Sequence, residues 1–158
     1  MTHEQLCVDI EEYRILVYRL AFACMGNHYD ADDITQDAFM RLYQYRKPFT
    51  NDEHKKAFLI RVTTNLCKDI QKSAWFRKRT ELDENMAASR NEDIKDEEDT
   101  LRKCILGLKP KYRGVIFLHY YEGYSTAEIA KIMRISESTI TTRLSRARSQ
   151  LKTQLTIS

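Results

Sequence analysis

The chain has 158 residues, of which 42% are hydrophobic and 31% charged, with a net charge of +3, which suits one ordinary domain or two small ones. Its four glycines and two prolines are few, so long helices with short connections are expected. We predict neither membrane insertion nor export, because the chain has no long uncharged apolar stretch and lacks the basic start and apolar run of a signal peptide.

The charge is unevenly distributed along the chain. Residues 1–80 contain 13 basic and 11 acidic residues, residues 81–99 contain two and nine, and residues 100–158 contain 11 and three. The middle segment also lacks aromatic residues and apolar periodicity, as a solvated linker does. A basic last block is expected of a protein that binds a polyanion. We therefore predict domains at 1–80 and 100–158, joined by an acidic linker at 81–99.

The four cysteines give no sign of a metal site or a disulfide framework. They are widely separated, with no C-x-x-C pair and no histidine at ligand spacing. We predict reduced, half-buried thiols, no metal and no cofactor.

Four helical patterns are predicted in the first block, with no strand-like alternation. Gly26 and Asn27 suit the end of the first helix, and Asp30 suits the N-cap of the next. Apolar residues spaced by three and four predict the buried faces, which include Tyr13, Leu16, Val17, Leu20 and Cys24, then Ile34, Ala38, Leu42 and Tyr45, and later Phe58, Leu59, Val62, Leu66 and Ile70. Such faces are typical of a compact helical bundle.

The last block predicts four helices that end in a helix-turn-helix. Pro110 opens the second helix, Ser125 and Glu128 have capping-box spacing at the start of the third, and Ser136 caps the fourth. The predicted apolar contacts are Leu101, Cys104, Ile105 and Leu108, then Val115, Ile116, His119 and Tyr120, then Ala127, Ile129, Ala130 and Met133, and finally Ile140, Leu144, Ala147 and Leu151.

The outer face of the final helix carries residue types that read DNA. A major groove admits one helix, and base edges are reached mainly from its N-terminal half. Arg146 suits a guanine or a phosphate, and Arg143 and Arg148, on the flanks, suit phosphates. The alternative is a solvated basic face. The other residues predicted on the outer face are Glu137, Ser138, Thr141, Thr142 and Ser145.

The two blocks in this order resemble an extracytoplasmic-function (ECF) sigma factor of the sigma-70 family. "DADDITQDAFMRLYQY", with its D-x-x-Q-D from Asp33 to Asp37, resembles the second conserved region of that family, and "KAFLIRVTTNLCKDIQK" resembles the helix that follows it. The stretch from "LKPKYRG" to "SRARSQL" resembles the fourth conserved region. The resemblance covers roughly residues 10–79 and 100–155 and implies an all-α, non-enzymatic protein of two small helical domains.

The resemblance also implies partners and contact residues. Core RNA polymerase, promoter DNA and a cognate anti-sigma factor are the implied partners, in the cytoplasm. A basic coiled coil of the largest core subunit would meet an acidic helix face, where complementary charge favours fast and correctly oriented binding; this face is Asp32, Asp33, Gln36 and Asp37. The −10 element would meet Asn65, Lys68, Asp69 and Lys72. Phe49 either stacks on a flipped-out base or packs its own loop.

Three places depart from the family pattern, and one other function stays open. The family's Leu-Pro appears one position displaced, as Leu108-Lys109-Pro110, and Thr141 stands where an arginine is common. Arg134 stands where relatives have glycine in the turn of the helix-turn-helix, which costs about 1 kcal/mol if that turn needs a positive φ. The alternative function is a free-standing regulator that binds duplex DNA and dimerises through the first block. It predicts an apolar exposed face on residues 10–79, whereas the acidic helix face would then be merely solvated.

Overall fold

The computed structural model describes residues 1–78 and 103–157, which contain helices and connections but no strand. The all-α prediction is therefore confirmed for this part of the chain. Helix α1 spans His3–Met25, α2 spans His28–Gln44 and α3 spans Asp52–Lys78. Residues 1–78 thus form three helices, not the four predicted. The linker predicted at 81–99 lies outside the described residues.

Short capping residues separate α1 from α2. Gly26 ends α1 at φ 80°, a left-handed conformation that glycine adopts without steric cost. Asn27 caps α2, and its side-chain oxygen accepts a hydrogen bond from the amide of Asp30 at 2.9 Å. The prediction that Asp30 is the cap is wrong, because α2 begins at His28 and places Asp30 inside its first turn.

The N-terminal domain buries the predicted faces of its three helices. One buried ion pair ties α1 to the start of α3, where Lys55 Nζ lies 3.1 Å from both oxygens of Asp9. The buried apolar side chains of the three helices include Tyr13, Val17, Leu20, Ile34, Ala38, Leu42, Phe58, Leu59 and Leu66.

The described part of the C-terminal domain starts with helical residues 103–106. Helix α4 spans Pro110–Ile116 and continues as a π-helical turn over Phe117–Tyr121. Helix α5 spans Thr126–Met133 and α6 spans Glu137–Ile157. Pro110 is the first residue of α4, as predicted.

Both predicted caps of the helix-turn-helix are confirmed. The amide of Glu128 donates to Ser125 Oγ at 3.1 Å, and the Glu128 carboxylate accepts from the amide of Ser125 at 3.0 Å. Ser136 Oγ accepts from the amide of Thr139 at 3.2 Å. These bonds fix where α5 and α6 begin, and therefore which side of α6 faces outward.

Two predicted core positions in this domain are wrong. Tyr120 is 53% exposed, because the π-helical turn inserts an extra residue per turn and rotates the following side chains away from the predicted face. Ala127 is exposed, since the inner face of the short α5 is taken by Ile129 and Ala130. Met133 and Leu151 pack at the edge of the core.

The two domains are in contact. Helices α1 and α3 pack against α4, the π-helical turn and α5 of the C-terminal domain. Among the described helices, none is long and apolar enough to cross a membrane.

Candidate polymerase and nucleic-acid interfaces

Helix α6 presents the predicted DNA-reading residues to solvent. Ile140, Leu144 and Ala147 are buried, which turns the opposite side of the helix outward. Arg143 is half-buried and Arg148 is exposed at the flanks. The remaining predicted residues are all exposed: Glu137, Ser138, Thr141, Thr142, Ser145 and Arg146.

Neighbouring elements orient two residues of this face. Thr126 Oγ1 donates to Glu137 Oε1 at 3.0 Å, which joins the start of α6 to the start of α5. Arg148 Nη1 donates to the hydroxyl of Tyr120 at 2.9 Å. The π-helical turn thus brings Tyr120 to α6, where its hydroxyl restricts the rotamers of an arginine that is predicted to contact phosphate.

A cavity of about 290 Å³ opens beside the recognition face, with Lys111 from α4 at its rim. Three cationic side chains and four side chains with hydroxyl groups line it without any carboxylate, a combination that suits a phosphate diester. Lys111 was not among the residues predicted from the sequence, because no helical spacing links it to α6; only the packing of α4 on α6 does. The lining residues are Lys111, Tyr112, Ser138, Thr139, Thr142, Arg143 and Arg146.

The turn between α5 and α6 uses a left-handed residue. Arg134 has φ 58° and ψ 44°, the only positive φ of a non-glycine residue in the described ranges. The amide of Ile135 donates to the carbonyl of Ala130 at 3.0 Å and closes the end of α5. The position therefore takes the positive φ that was considered for Arg134 from the sequence, a conformation that glycine adopts without steric cost.

Helix α2 exposes a mixed acidic and apolar face. Ile34, Ala38 and Leu42 are fully buried and fix the orientation of the helix. All four residues predicted to bind polymerase are exposed on the other side: Asp32, Asp33, Gln36 and Asp37. Exposed large hydrophobic side chains follow the same helix: Tyr29, Met40 and Tyr43.

Helix α3 exposes the residues predicted for the −10 element along one side, at positions i, i+3, i+4 and i+7. These are Asn65, Lys68, Asp69 and Lys72. Phe49, predicted either to stack on a base or to pack its loop, is half-buried. Its ring centroid lies 5.2 Å from that of Tyr45 and 5.4 Å from that of Phe58. These contacts account for the loop-packing role and leave part of the ring in solvent.

The cysteines are all free, but two are more buried than predicted. Cys24 on α1 and Cys67 on α3 are both buried in the core. The interaction between their thiols lowers the pKa of Cys24 and raises that of Cys67. Within the described ranges, no group of three or more His, Cys, Asp or Glu side chains is placed to hold a metal ion.

Comparison with known proteins assigns both halves of the chain. Residues 10–80 match the family model "Sigma-70 region 2", and residues 98–151 match "Sigma-70, region 4". The chain is 32% identical to the ECF RNA polymerase sigma factor SigW of Bacillus subtilis over 166 residues, which cover 94% of this chain and 86% of SigW. It is 28% identical to the ECF RNA polymerase sigma factor SigL of Mycobacterium tuberculosis over 147 residues, or 85% of this chain and 79% of SigL.

Solved structures share the fold at lower identity. The sigma factor RpoE in complex with the anti-sigma factor NepR, from Bartonella quintana, superposes with a TM-score of 0.66 at 21% identity and covers 98% of both chains. CnrH in complex with the cytosolic domain of CnrY superposes with a TM-score of 0.63 at 20% identity, covering 99% of this chain and 90% of CnrH. From the two family matches and the identity to SigW, the chain belongs to the ECF group of the sigma-70 family of RNA polymerase sigma factors.

Proposed function

We propose that this sigma factor binds core RNA polymerase mainly through α2, directs it to the −35 element through α6 and to the −10 element through α3, and assists promoter melting. Phosphodiester chemistry belongs to the core enzyme, and the sigma factor is not itself an enzyme. The observation that carries the proposal is the exposed acidic and apolar face of α2, in a chain whose α6 carries a cationic face. DNA repels the first face and attracts the second, so two different partners are needed.

The composition of the α2 face argues against the free-standing regulator. A symmetric dimer would bring two copies of one surface together. Two copies of the α2 face would oppose the carboxylates of Asp33 and Asp37 at close range, which like charges disfavour. A basic partner surface pairs with these carboxylates and also covers exposed Met40 and Tyr43.

The two DNA contacts differ in chemistry. The face of α6, with its neighbouring cationic cavity, suits a duplex read in the major groove. The face of α3 combines Asn65 and Asp69, which can hydrogen bond base edges, with Lys68 and Lys72, which can neutralise phosphates. We assign the −10 element to α3 and, in the same proposal, assign Phe49 to the edge of that contact.

Regulation by a cognate anti-sigma factor in the cytoplasm is part of the proposal. The structural relatives RpoE and CnrH were each solved in a complex, RpoE with the anti-sigma factor NepR and CnrH with the cytosolic domain of CnrY. The same fold offers the same kind of surface here: an exposed α2 face that a competitor for polymerase can cover.

The test is co-elution of the purified chain with bacterial core RNA polymerase on a sizing column. The wild-type chain should co-elute, and the double substitution Asp33→Lys and Asp37→Lys should abolish co-elution while leaving binding to −35 duplex DNA unchanged. Glu11→Lys with Glu12→Lys is the control, because it reverses the same charge at exposed positions on α1.

Retained co-elution of the α2 variant would remove the role given to that face. If the wild-type chain binds −35 duplex but never co-elutes with core polymerase, the free-standing regulator becomes the better account.

A further inference from the structure

A histidine holds the end of the loop that joins α2 to α3. The amide of Thr50 in this loop donates to His54 Nδ1 at 3.0 Å, and the amide of His54 donates to Asn51 Oδ1 at 2.8 Å. Asn51 thus caps α3, and His54 stands where a capping box has its glutamate, except that it accepts the amide one residue earlier. The loop and the first turn of α3 therefore fix each other.

The same histidine also contacts the aromatic side chain of the loop. A backbone amide can only donate, so Nδ1 of His54 is the unprotonated nitrogen of the ring. The ring centroids of His54 and Phe49 are 5.1 Å apart at an interplanar angle of 76°, an edge-to-face contact. His54 therefore holds both the backbone of Thr50 and the ring of Phe49.

An ion pair with α1 holds Phe49 from another side. Lys55 Nζ lies 3.1 Å from both carboxylate oxygens of Asp9, which is buried. The same ammonium lies 5.9 Å from the ring centroid of Phe49, within the range of a cation–π contact. Because both oxygens of Asp9 bind it, the ammonium has little freedom to leave the ring. Helix α1, to which the proposed function gives no contact with DNA, thus reaches the loop through Lys55.

Lys55 is poorly suited to bind a phosphate itself. Its ammonium is already paired with Asp9, and the surroundings are acidic: burial first, and then four carboxylates led by Glu12 and Asp52, raise the pKa of Tyr13 to about 12. These carboxylates repel a phosphate backbone. Lys55 therefore acts on the loop and not on DNA directly.

The half-buried ring of Phe49 is thus restrained on several sides. Tyr45 and Phe58, whose own ring centroids are 4.5 Å apart, pack against it from the ends of α2 and α3. These apolar contacts have no direction and allow the ring to slide, whereas His54 and Lys55 add contacts with a fixed geometry. A site discriminates between bases only if the side chains that meet the base are themselves held in place.

We propose that His54 and the Asp9–Lys55 ion pair are positioning residues for Phe49. They hold its ring where it stacks on one base of the unpaired −10 strand, and they thereby set how strictly that base is selected. The selectivity part rests on the proposed function, which places Phe49 at the −10 contact. The ordering of the loop by His54 does not rest on it.

Hydrogen exchange of the Thr50 amide, measured by NMR on the free full-length chain, tests the ordering of the loop. His54→Leu removes the acceptor and should accelerate this exchange about tenfold. His54→Asn is the rescue, because the Oδ1 of asparagine takes the place of Nδ1 and accepts the same bond, so exchange should stay slow. His3→Leu is the matched control, since His3 is exposed in the first turn of α1. Equal exchange in His54→Leu and the wild-type chain would overturn the role of His54.

The ion pair is best removed as a pair. Lys55→Met alone leaves the buried carboxylate of Asp9 without a partner and destabilises the fold, whereas Asp9→Leu combined with Lys55→Met leaves no orphan charge and should keep the melting temperature of the wild-type chain. Glu11→Leu with Arg14→Met is the matched control, because it removes one acidic and one basic side chain at exposed positions of α1.

Selectivity is measured on the complex with core polymerase, as the affinity for an unpaired −10 strand in which each base is replaced in turn. Phe49→Ala should lower discrimination at one position about tenfold, as the loss of a base–aromatic stack does. His54→Leu and the double variant of Asp9 and Lys55 should lower it at the same position. The rescue variant, both controls and the affinity of every variant for −35 duplex should be unchanged.

Two results would overturn the positioning roles. One is full discrimination in both His54→Leu and the double variant while Phe49→Ala loses it, and the other is full discrimination in Phe49→Ala. If even the wild-type complex does not bind the −10 strand, the proposed function and the selectivity part fail together. The exchange of the Thr50 amide then still decides whether His54 orders the loop.

Discussion

Arg134 shows how one residue can hold a functional turn at a cost in stability. The helix-turn-helix needs a left-handed residue at the end of α5, and Arg134 meets this need with φ 58°. A side chain in this conformation places Cβ too close to the following carbonyl oxygen. The strain and its position were readable from the sequence, because glycine is usual there in the family that the chain resembles.

Substitution of Arg134 by glycine should therefore stabilise the C-terminal domain. We expect a gain of about 1 kcal/mol, which for a domain of this size is about 5 °C in melting temperature. Thermal unfolding followed by circular dichroism measures it. Arg134→Ala is the control, since it removes the same charge, which repels Arg61 of α3, but keeps a Cβ in the strained position. An equal gain in both variants would assign the effect to charge repulsion.

At the scale of helices, local signals predicted most of the fold. Gly26, Ser125 and Ser136 mark helix ends because each satisfies backbone groups within its own segment. The buried faces of α2 and α6 followed from spacing alone. The prediction that Asp30 caps α2 was wrong by three positions. Asn27 caps the helix instead, and its side chain is equally suited to that role.

What the sequence could not reveal depends on contacts between elements. Lys111 reaches the recognition face only because α4 packs against α6, and Arg113 finds its acceptor on another domain. The π-helical turn at Phe117–Tyr121 breaks the 3.6-residue period on which the prediction of Tyr120 rested. Gly114, a glycine inside a helix, was a local sign of close packing. Only the structure shows that the close neighbour is Cys24 on α1.

The pairing of α4 with α6 predicts two kinds of DNA-binding defect. Lys111→Ala should weaken binding to every duplex alike and lower the slope of log affinity against log salt by about 0.9, because one phosphate contact is lost. Arg146→Ala should weaken binding to the cognate −35 sequence by about 1–3 kcal/mol more than to other sequences, if Arg146 forks onto a base. Fluorescence anisotropy across a salt series separates the two.

Lys131→Ala serves as the control for charge, because Lys131 is exposed on α5 and does not line the cavity. A salt slope unchanged by Lys111→Ala would mean that the cavity holds no phosphate. A loss of affinity that is uniform across sequences in Arg146→Ala would make Arg146 a phosphate contact too.

On the scale of the whole molecule, the faces proposed to bind different partners carry opposite charges. The acidic and apolar face of α2 suits a protein surface, whereas the cationic face of α6 suits a phosphate backbone. Because Arg113 of the C-terminal domain donates a hydrogen bond to the carbonyl of Cys24 in the N-terminal domain, these faces belong to one body in the structure.

Free sigma factor should accordingly gain nothing from a second promoter element. We expect equal affinity for DNA that carries only a −35 element and for DNA that also carries an unpaired −10 strand at its natural distance. An open chain that held both would gain about 100-fold or more from the raised effective concentration. Anisotropy titrations with and without core polymerase measure this gain. A gain of that size in the free wild-type chain would contradict a stable contact between the domains. Its appearance only in Gly114→Leu would place the restraint at the contact between Gly114 and Cys24, where a Cβ on Gly114 would lie 3.1 Å from the Sγ of Cys24.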